Sequence, residues 1–276
     1  MQERGFEVHA VSSPGEELHA FGREQGVPVS AVTMERRITP LRDMVALALI
    51  YRVLRRVRPT VVHTHTPKGG LLGMIAAWLA RTPVRVYHLR GLPLLSATGT
   101  KRLLLRWADQ LACRLAHQVI CVSHSIRDEA IQEGLCPPEK IKVLLGGSGN
   151  GVDATGRFHP ERLAKDVRCA TRRHLGIPAA ATVIGFVGRI VRDKGIVELA
   201  EAWERLREEH PQARLLLVGP FEPQDPVPTE IDARLREDPR VHLAGTDWNT
   251  PPLYAAMDLV VLPTYREGFP NVPLEA

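Results

Sequence analysis

Cysteine is scarce: four in 276 residues (Cys113, Cys121, Cys136 and Cys169), with no two in a C-x-x-C pair. That excludes a disulfide framework and a thiolate zinc site, and leaves reduced structural thiols. Aromatic residues make up only 5% of the chain. They are too few for the stacking series of single-stranded nucleic-acid binders, and no nucleic-acid motif is present, so no such partner is expected. Long apolar runs are missing too. The longest, residues 44–51 (MVALALIY) and 71–80 (LLGMIAAWLA), fall short of the ~20 residues that cross a bilayer. The opening MQERGFEVHAVSS has neither the basic leader nor the apolar core of a secretory signal, so the expected location is the cytoplasm.

What is present is ordinary globular material, 44% hydrophobic and 24% charged. This balance excludes disorder, collagen and coiled coil, and the length suffices for more than one core. The net charge of +5 is unevenly spread. Residues 1–150 hold 20 Lys and Arg against 12 Asp and Glu, whereas residues 151–276 hold 16 against 19. A basic first half fits anionic headgroups, a phosphorylated substrate or nucleic acid, and charge alone does not choose among them.

Hydrophobic period gives the architecture. GFEVHAVSS, PTVVHTH, VRVYHL and HQVICVS are short Val/Ile-rich runs, each followed by a stretch of helical spacing such as residues 41–58 or 100–116. Alternation of this kind predicts an α/β fold, a parallel sheet with helices on both faces. Glycine and proline punctuate residues 146–181, and the pattern then restarts with TVIGFVG, a helix over 196–209, ARLLLVG, a charged helix over 229–237, RVHLAG and DLVVLP. Two Rossmann-like domains are therefore expected, over residues 1–153 and 181–276, joined by a linker over 154–180. Ligands of such sheets bind beyond the carboxyl ends of the strands, which predicts a cleft between the two halves. The chain opens on what reads as a helix tail and stops at PLEA, where a helix begins. A first strand and the closing helices are expected to be missing.

The strongest local signal is the strand TVIGFVG running into GRIVRDKGI. Gly188 allows close backbone approach, Arg189 and Lys194 suit phosphate oxygens, and a helix begins just afterwards with its positive end toward the same place. The segment reads either as a diphosphate cradle or as a solvated basic loop. Beyond the strand DLVVLPTY comes REGFPNVPLE, in which Glu267 and Glu275 are spaced to meet different hydroxyls of one extended ligand. A carboxylate suits vicinal sugar hydroxyls because it accepts from two donors at once.

GRIVRDKGI, the REGFPNVPLE segment, VSHS and NGVD, in that order over nearly the whole chain, resemble the retaining glycosyltransferases of family 4, which have the GT-B fold. VHTHTPKGGLLG, YHLRGLPLLSATGTKR and GGSGNGVD are similar to the branch that builds capsular and lipid-linked surface polysaccharides from UDP-sugars. The resemblance implies that Arg189 and Lys194 hold the donor diphosphate and stabilise the leaving group. It implies that Glu267 binds the transferred sugar, Glu275 the nucleotide ribose, and that Gly188, Gly268 and Phe269 complete the pocket. Departure of a nucleoside diphosphate develops charge that two cations and a helix N-terminus stabilise without metal. Transfer with retention, without metal or other cofactor, is the expectation.

In this family the first domain takes the acceptor. VVHTH places His63 and His65 on one face of a strand. As a metal pair they lack apparent Asp, Glu or Cys partners, so no metal is expected. His65, Thr66, Lys68 and Gly69 read as an acceptor-side loop, with Lys68 as a phosphate contact, or as plain exposed surface. Where the family has His-Gly after its next strand, this chain has Arg90-Gly91 with His88 two residues earlier, leaving either side chain as the one that reaches sugar. Ser123 reads as a cleft residue or as the cap of the following helix. Asn150 and Gly151 read as a turn needing positive φ. Residues 95–114 interleave Lys101, Arg102, Arg106 and Arg114 with leucines and Trp107, either an amphipathic contact for an anionic leaflet or a helix packed on the sheet. The expected partners are a nucleotide-sugar and a lipid-linked glycan. The alternatives are another GT-B enzyme, such as a UDP-sugar 2-epimerase or a phosphorylase, or an inactive remnant.

Overall fold

The computed structural model describes residues 2–35, 37–223 and 225–276. The chain divides into two compact units, Met1–Ser148 and Gly149–Ala276.

The first unit runs β1 (Ala10–Ser12), α1 (Glu16–Gln25), β2 (Val29–Ala31), α2 (Pro40–Val57), β3 (Val61–His65), α3 (Pro67–Leu79), β4 (Val84–Leu89), α4 (Gly99–Leu115), β5 (Gln118–Cys121), α5 (His124–Gln132) and β6 (Ile141–Val143). Strands β3 to β6 pair in sequence order and β1 pairs with β2, all parallel. Helix α3 is apolar on nearly all sides and sits against β3 and β4. Its glycines make that approach possible. A Cβ at Gly70 would lie 2.3 Å from the Tyr87 ring, and one at Gly73 would lie 2.5 Å from Thr64 Cγ2. The two neighbours of α3 are α2 and α4. Helix α2 buries Ala46, Ile50 and Leu54, one stripe at four-residue spacing. Beneath α4, the buried Tyr87 hydroxyl donates to Asp109 at 3.0 Å. Burial pushes the Asp109 carboxyl up to about 6, against the opposing pull of the Tyr87 hydrogen bond. All four cysteines are free, and only Cys169 is exposed.

The second unit runs α6 (Val167–His174), β7 (Thr182–Val187), α7 (Ile196–Glu209), β8 (Ala213–Val218), α8 (Thr229–Glu237), β9 (Val241–Gly245), α9 (Thr250–Ala256), β10 (Leu259–Val260) and α10 (Val272–Glu275). Its parallel sheet has the order β10-β7-β8-β9. Strand β8 is central and covered on both faces, so Leu215, Leu216 and Leu217 are all fully buried. This is why ARLLLV reads as a continuous apolar run instead of alternating, and each such leucine is worth about 2 kcal/mol.

The expected linker over 154–180 is not one. Those residues belong to the second unit, and α6 packs on α9. The cause is a charge network: Arg172 is 3% exposed and pairs with Asp258 at 2.7 Å. A polar, proline-bearing sequence conceals this, because an ion pair works beside a few scattered apolar anchors, Phe158, Leu175 and Ile177, and no periodic stripe marks the segment. DLVVLP is likewise shorter as a strand than its composition suggests, with only Leu259 and Val260 in the ladder. The short strands β2 and β6 fall below the length at which period is legible.

Candidate functional site

The order of the second sheet puts β7 and β10 side by side, so the segments leaving their carboxyl ends adjoin. After β7 the chain turns at Gly188 (φ 150°), extends the sheet by a bridge from Ile190 to Phe221, and makes a 3-10 turn, Arg192–Lys194, before entering α7. Gly219 is forced by that crossing, since its Cβ would lie 1.9 Å from the Gly188 carbonyl oxygen. Gly195, at φ 71°, caps α7, and a Cβ there would meet the Pro263 carbonyl oxygen at 2.0 Å. The segment after β10 closes on this turn. Tyr265 N donates to the Asp193 carbonyl at 3.1 Å, Thr264 Oγ1 to the same oxygen at 3.3 Å, and Arg266 pairs with the Asp193 carboxylate at 3.1 Å.

That closure brings Lys194 and Glu267, 73 residues apart in sequence, into a direct, largely buried ion pair. Lysine has three donors, so its Nζ can keep Glu267 and still meet a phosphate oxygen. Arg189 pairs with Glu222 at 2.9 Å, and its guanidinium has further N–H groups to offer. The first turn of α7 begins two residues after Lys194, adding the positive end of a helix dipole. Gly268 and Phe269 follow Glu267, and α10 then carries Glu275, whose carboxylate accepts from the Tyr254 hydroxyl at 2.8 Å. Burial first, and the Glu275 carboxylate second, push the Tyr254 hydroxyl well above its usual range. Tyr254 therefore stays a donor and orients Glu275.

All the donor-side residues expected from sequence thus lie on the segments following β7 and β10. Tyr254, Glu222, Asp193 and Arg266 were not foreseen, because each acts through a partner 21 to 73 residues away.

The first unit places its expected residues at the carboxyl ends of β3, β4 and β5. His65 ends β3, and Thr66 caps α3, its hydroxyl accepting from Gly69 N at 3.3 Å. Thr66 has φ 65°, a strained conformation for a β-branched residue and one that clusters at functional sites. Lys68 is not a bare phosphate contact: it pairs with Asp43 at 2.8 Å and donates to the Arg37 carbonyl. Ser123 caps α5 through Ile126 N at 3.3 Å. Gly151 has φ 75°, as the turn expectation required.

Register sets His65 directly beside His88 and His63 beside Val86. A third imidazole therefore joins the His63–His65 pair, which linear spacing does not reveal. Ring centroids are 4.3 Å apart for His63–His65, 5.1 Å for His65–His88 and 5.4 Å for the stacked His63–His88. Burial foremost, then the charges of His63 and Arg90, hold His88 down at about 4. Burial and the same two charges, together with that of His88, hold His65 there too. Both rings are neutral near pH 7.

Comparison with known proteins shows the family. Residues 1–147 match the Glycosyl transferase 4-like domain and residues 181–276 match Glycosyl transferases group 1. The capsular polysaccharide biosynthesis glycosyltransferase CapM of Staphylococcus aureus is 32% identical over 276 residues, covering 100% of this chain and 70% of that protein. The Escherichia coli UDP-Gal:alpha-D-GlcNAc-diphosphoundecaprenol alpha-1,3-galactosyltransferase is 30% identical over 250 residues, covering 88% of this chain and 62% of that protein. A crystal structure of Anabaena Alr3699/HepE in complex with UDP aligns with a TM-score of 0.72 at 26% identity, covering 97% of this chain and 70% of that one. On sequence and on fold alike, the chain belongs to the family 4 glycosyltransferases of the GT-B type.

Proposed function

We propose that the chain transfers a sugar, with retention, from a UDP-sugar to a lipid-linked or growing surface-polysaccharide acceptor, without a metal on the donor diphosphate. The observation that carries this is the convergence of Arg189, Lys194, Glu267 and the N-terminus of α7 on adjoining segments of one sheet end. As the nucleotide departs, negative charge grows on its diphosphate. Fixed cations and a helix dipole stabilise that charge without reorganising. Glu267, held by Lys194, accepts from hydroxyls of the transferred sugar, and Glu275, held by Tyr254, accepts from the ribose. Gly188, Gly268 and Phe269 line the same pocket. The relatives support the substrate classes: one is named for UDP-galactose and a diphosphoundecaprenol-linked acceptor, one for capsular polysaccharide, and the HepE structure holds UDP. His65, Lys68, His88, Arg90 and Ser123 are assigned to the acceptor side.

Thermal-shift titration with UDP, GDP and ADP, each with and without magnesium, tests the donor half. UDP is expected to raise the melting temperature equally in both conditions. No response to any nucleotide, or a response that requires magnesium, overturns the reading. Labelled donor that yields a free isomerised UDP-sugar in the absence of acceptor marks an epimerase instead.

A lipid-linked acceptor would be met at the cytoplasmic face of an anionic membrane, and work there is part of the proposal. No helix among the described residues is long and apolar enough to cross one. Three neighbouring helices nevertheless expose apolar side chains: Leu41 (86%), Met44 (66%) and Val45 on α2, Trp78 on α3, and Leu103 (65%) and Trp107 (56%) on α4. Arginines interleave with them, as at Arg42, Arg52, Arg102 and Arg106. The stripe on α2 was hidden in the sequence because its period is that of a buried face. Sedimentation with vesicles containing anionic lipid is expected at low salt and lost at high salt. Equal recovery with neutral vesicles counts against it.

A further inference from the structure

Three imidazoles converge at the carboxyl ends of β3 and β4, in the first unit. Alternation along β3 points His63 and His65 to one face, and the parallel register sets His88 beside His65 on that face. Each ring offers a nitrogen, and the three nitrogens lie within 4.8 Å of one another. We propose that His63, His65 and His88 bind one divalent transition-metal ion, of which zinc is the reference case, leaving a coordination position open to water. The proposal does not rest on the transfer reaction, because the donor diphosphate has its own cations in the other unit.

Three neutral nitrogen donors and a solvent position make up an open zinc site. Tetrahedral geometry with bonds of about 2.0 Å sets ligand nitrogens about 3.3 Å apart. The nitrogens must close by about 1.5 Å from the 4.8 Å limit, which rotation of two side chains supplies. His63 and His65 each keep an edge open to solvent, which leaves room for that adjustment. A second observation points to a ligand independently. Both ring nitrogens of His88 are shut off from solvent and have no hydrogen-bond partner among the described residues. An unpaired buried nitrogen is destabilising, and a metal on one of the two removes that penalty at that atom.

The strained φ of Thr66 directly after His65 fixes the exit of β3, so the ligand strand is held where the cluster needs it. The donor set also narrows the ion. Imidazole suits zinc, copper, nickel and cobalt, whereas calcium and magnesium demand oxygen ligands. Arg90 bears electrostatically on His65 and His88. A cation therefore enters against a like charge, and its affinity falls short of a closed structural zinc site.

Calorimetric titration of the whole chain with zinc, and optical titration with cobalt, test the site. One equivalent of zinc is expected, and cobalt is expected to develop the intense visible bands of a four-coordinate nitrogen site. His63→Gln and His88→Gln are each expected to weaken zinc binding at least tenfold and to abolish the cobalt bands. His63 is exposed, so its variant keeps the test decisive if His88→Gln misfolds. Cys169→Ser, which removes the exposed thiol, should leave binding unchanged. Absence of stoichiometric zinc uptake overturns the proposal. So does uptake by both histidine variants equal to that of the parent chain, or loss of uptake in Cys169→Ser.

Discussion

Lys194→Ala is expected to lower kcat/KM for sugar transfer by about 10²–10³-fold, the range seen when one fixed donor to a developing negative charge is removed. Lys194 is held in place by Glu267 and flanked by the first turn of α7, so the preorganisation on which such stabilisation depends is already built. The loss should fall mainly on kcat, because charge on the diphosphate grows as the nucleotide leaves. Arg189→Ala should cost less: its side chain is 44% exposed and pairs at the rim with Glu222. Glu267→Ala removes the proposed sugar contact and also frees Lys194. The double variant Lys194→Ala/Glu267→Ala should therefore lose less than the product of the two single losses, as side chains in direct contact do. Steady-state kinetics on the four variants, with UDP binding measured in parallel, decide it. If Lys194→Ala retains more than a tenth of the parent kcat/KM, Lys194 is a structural partner of Glu267 and not a group that acts on the donor.

Much of this site was legible because it sits where local rules operate. TVIGFVG is a buried strand ending in glycine, and Lys194 directly precedes a helix start, so Gly188, Arg189 and Lys194 could be assigned to one loop from spacing alone. Glu267 and Glu275 were singled out by their order after a strand and by family resemblance. What spacing did not disclose was that Lys194 and Glu267 touch, since that depends on β10 lying beside β7 instead of at the far edge. The histidines show the same limit. His63 and His65 are visible as a same-face pair, but His88 joins them only through the β3–β4 register, which no property of either strand alone specifies. The segment over 154–180 failed for another reason. Its helix α6 is short and strongly polar, and it is fixed by an arginine whose partners lie in α9, just before β10 and in the turn before β7. Apolar period, the principal signal for a packed element, is silent about an element held by charge.

That arginine sets the second large effect. Arg172→Met is expected to destabilise the second unit by about 3–5 kcal/mol, the cost of breaking a buried, hydrogen-bonded ion pair. Arg172 donates to the carbonyls of Ala256, Ala179 and Ala181, each at 2.9 Å, and to Asp258 at 2.7 Å. Methionine fills much of the space but satisfies none of these acceptors, and the Ala256 and Ala181 carbonyls, whose bonds to Arg172 are buried, are costly to leave unpaired. For a unit of this size the loss corresponds to a fall in melting temperature of roughly 10–20 °C. Asp258 also accepts from Val183 N at 2.7 Å and pairs with Arg168. Burial alone would raise its carboxyl, but the Val183 amide and the two arginines outweigh that and hold it below the ordinary aspartate value. A depressed pKa makes its contribution fully present above the unfolded value of about 3.8 and lost as pH falls through the folded one. The parent chain should therefore surrender part of its advantage over the variant in strong acid and keep it from pH 5 upward. Function should follow. Asp258 directly precedes β10, and the segment after β10 carries Glu267 to Lys194. At a temperature where Arg172→Met is still folded, its UDP affinity should fall while the far-ultraviolet spectrum stays that of the parent. Thermal melts from pH 3 to 8, with UDP titration at 15 °C, measure both effects. A variant that melts within 3 °C of the parent would show that α6 is docked by its apolar contacts and that the ion pair is dispensable.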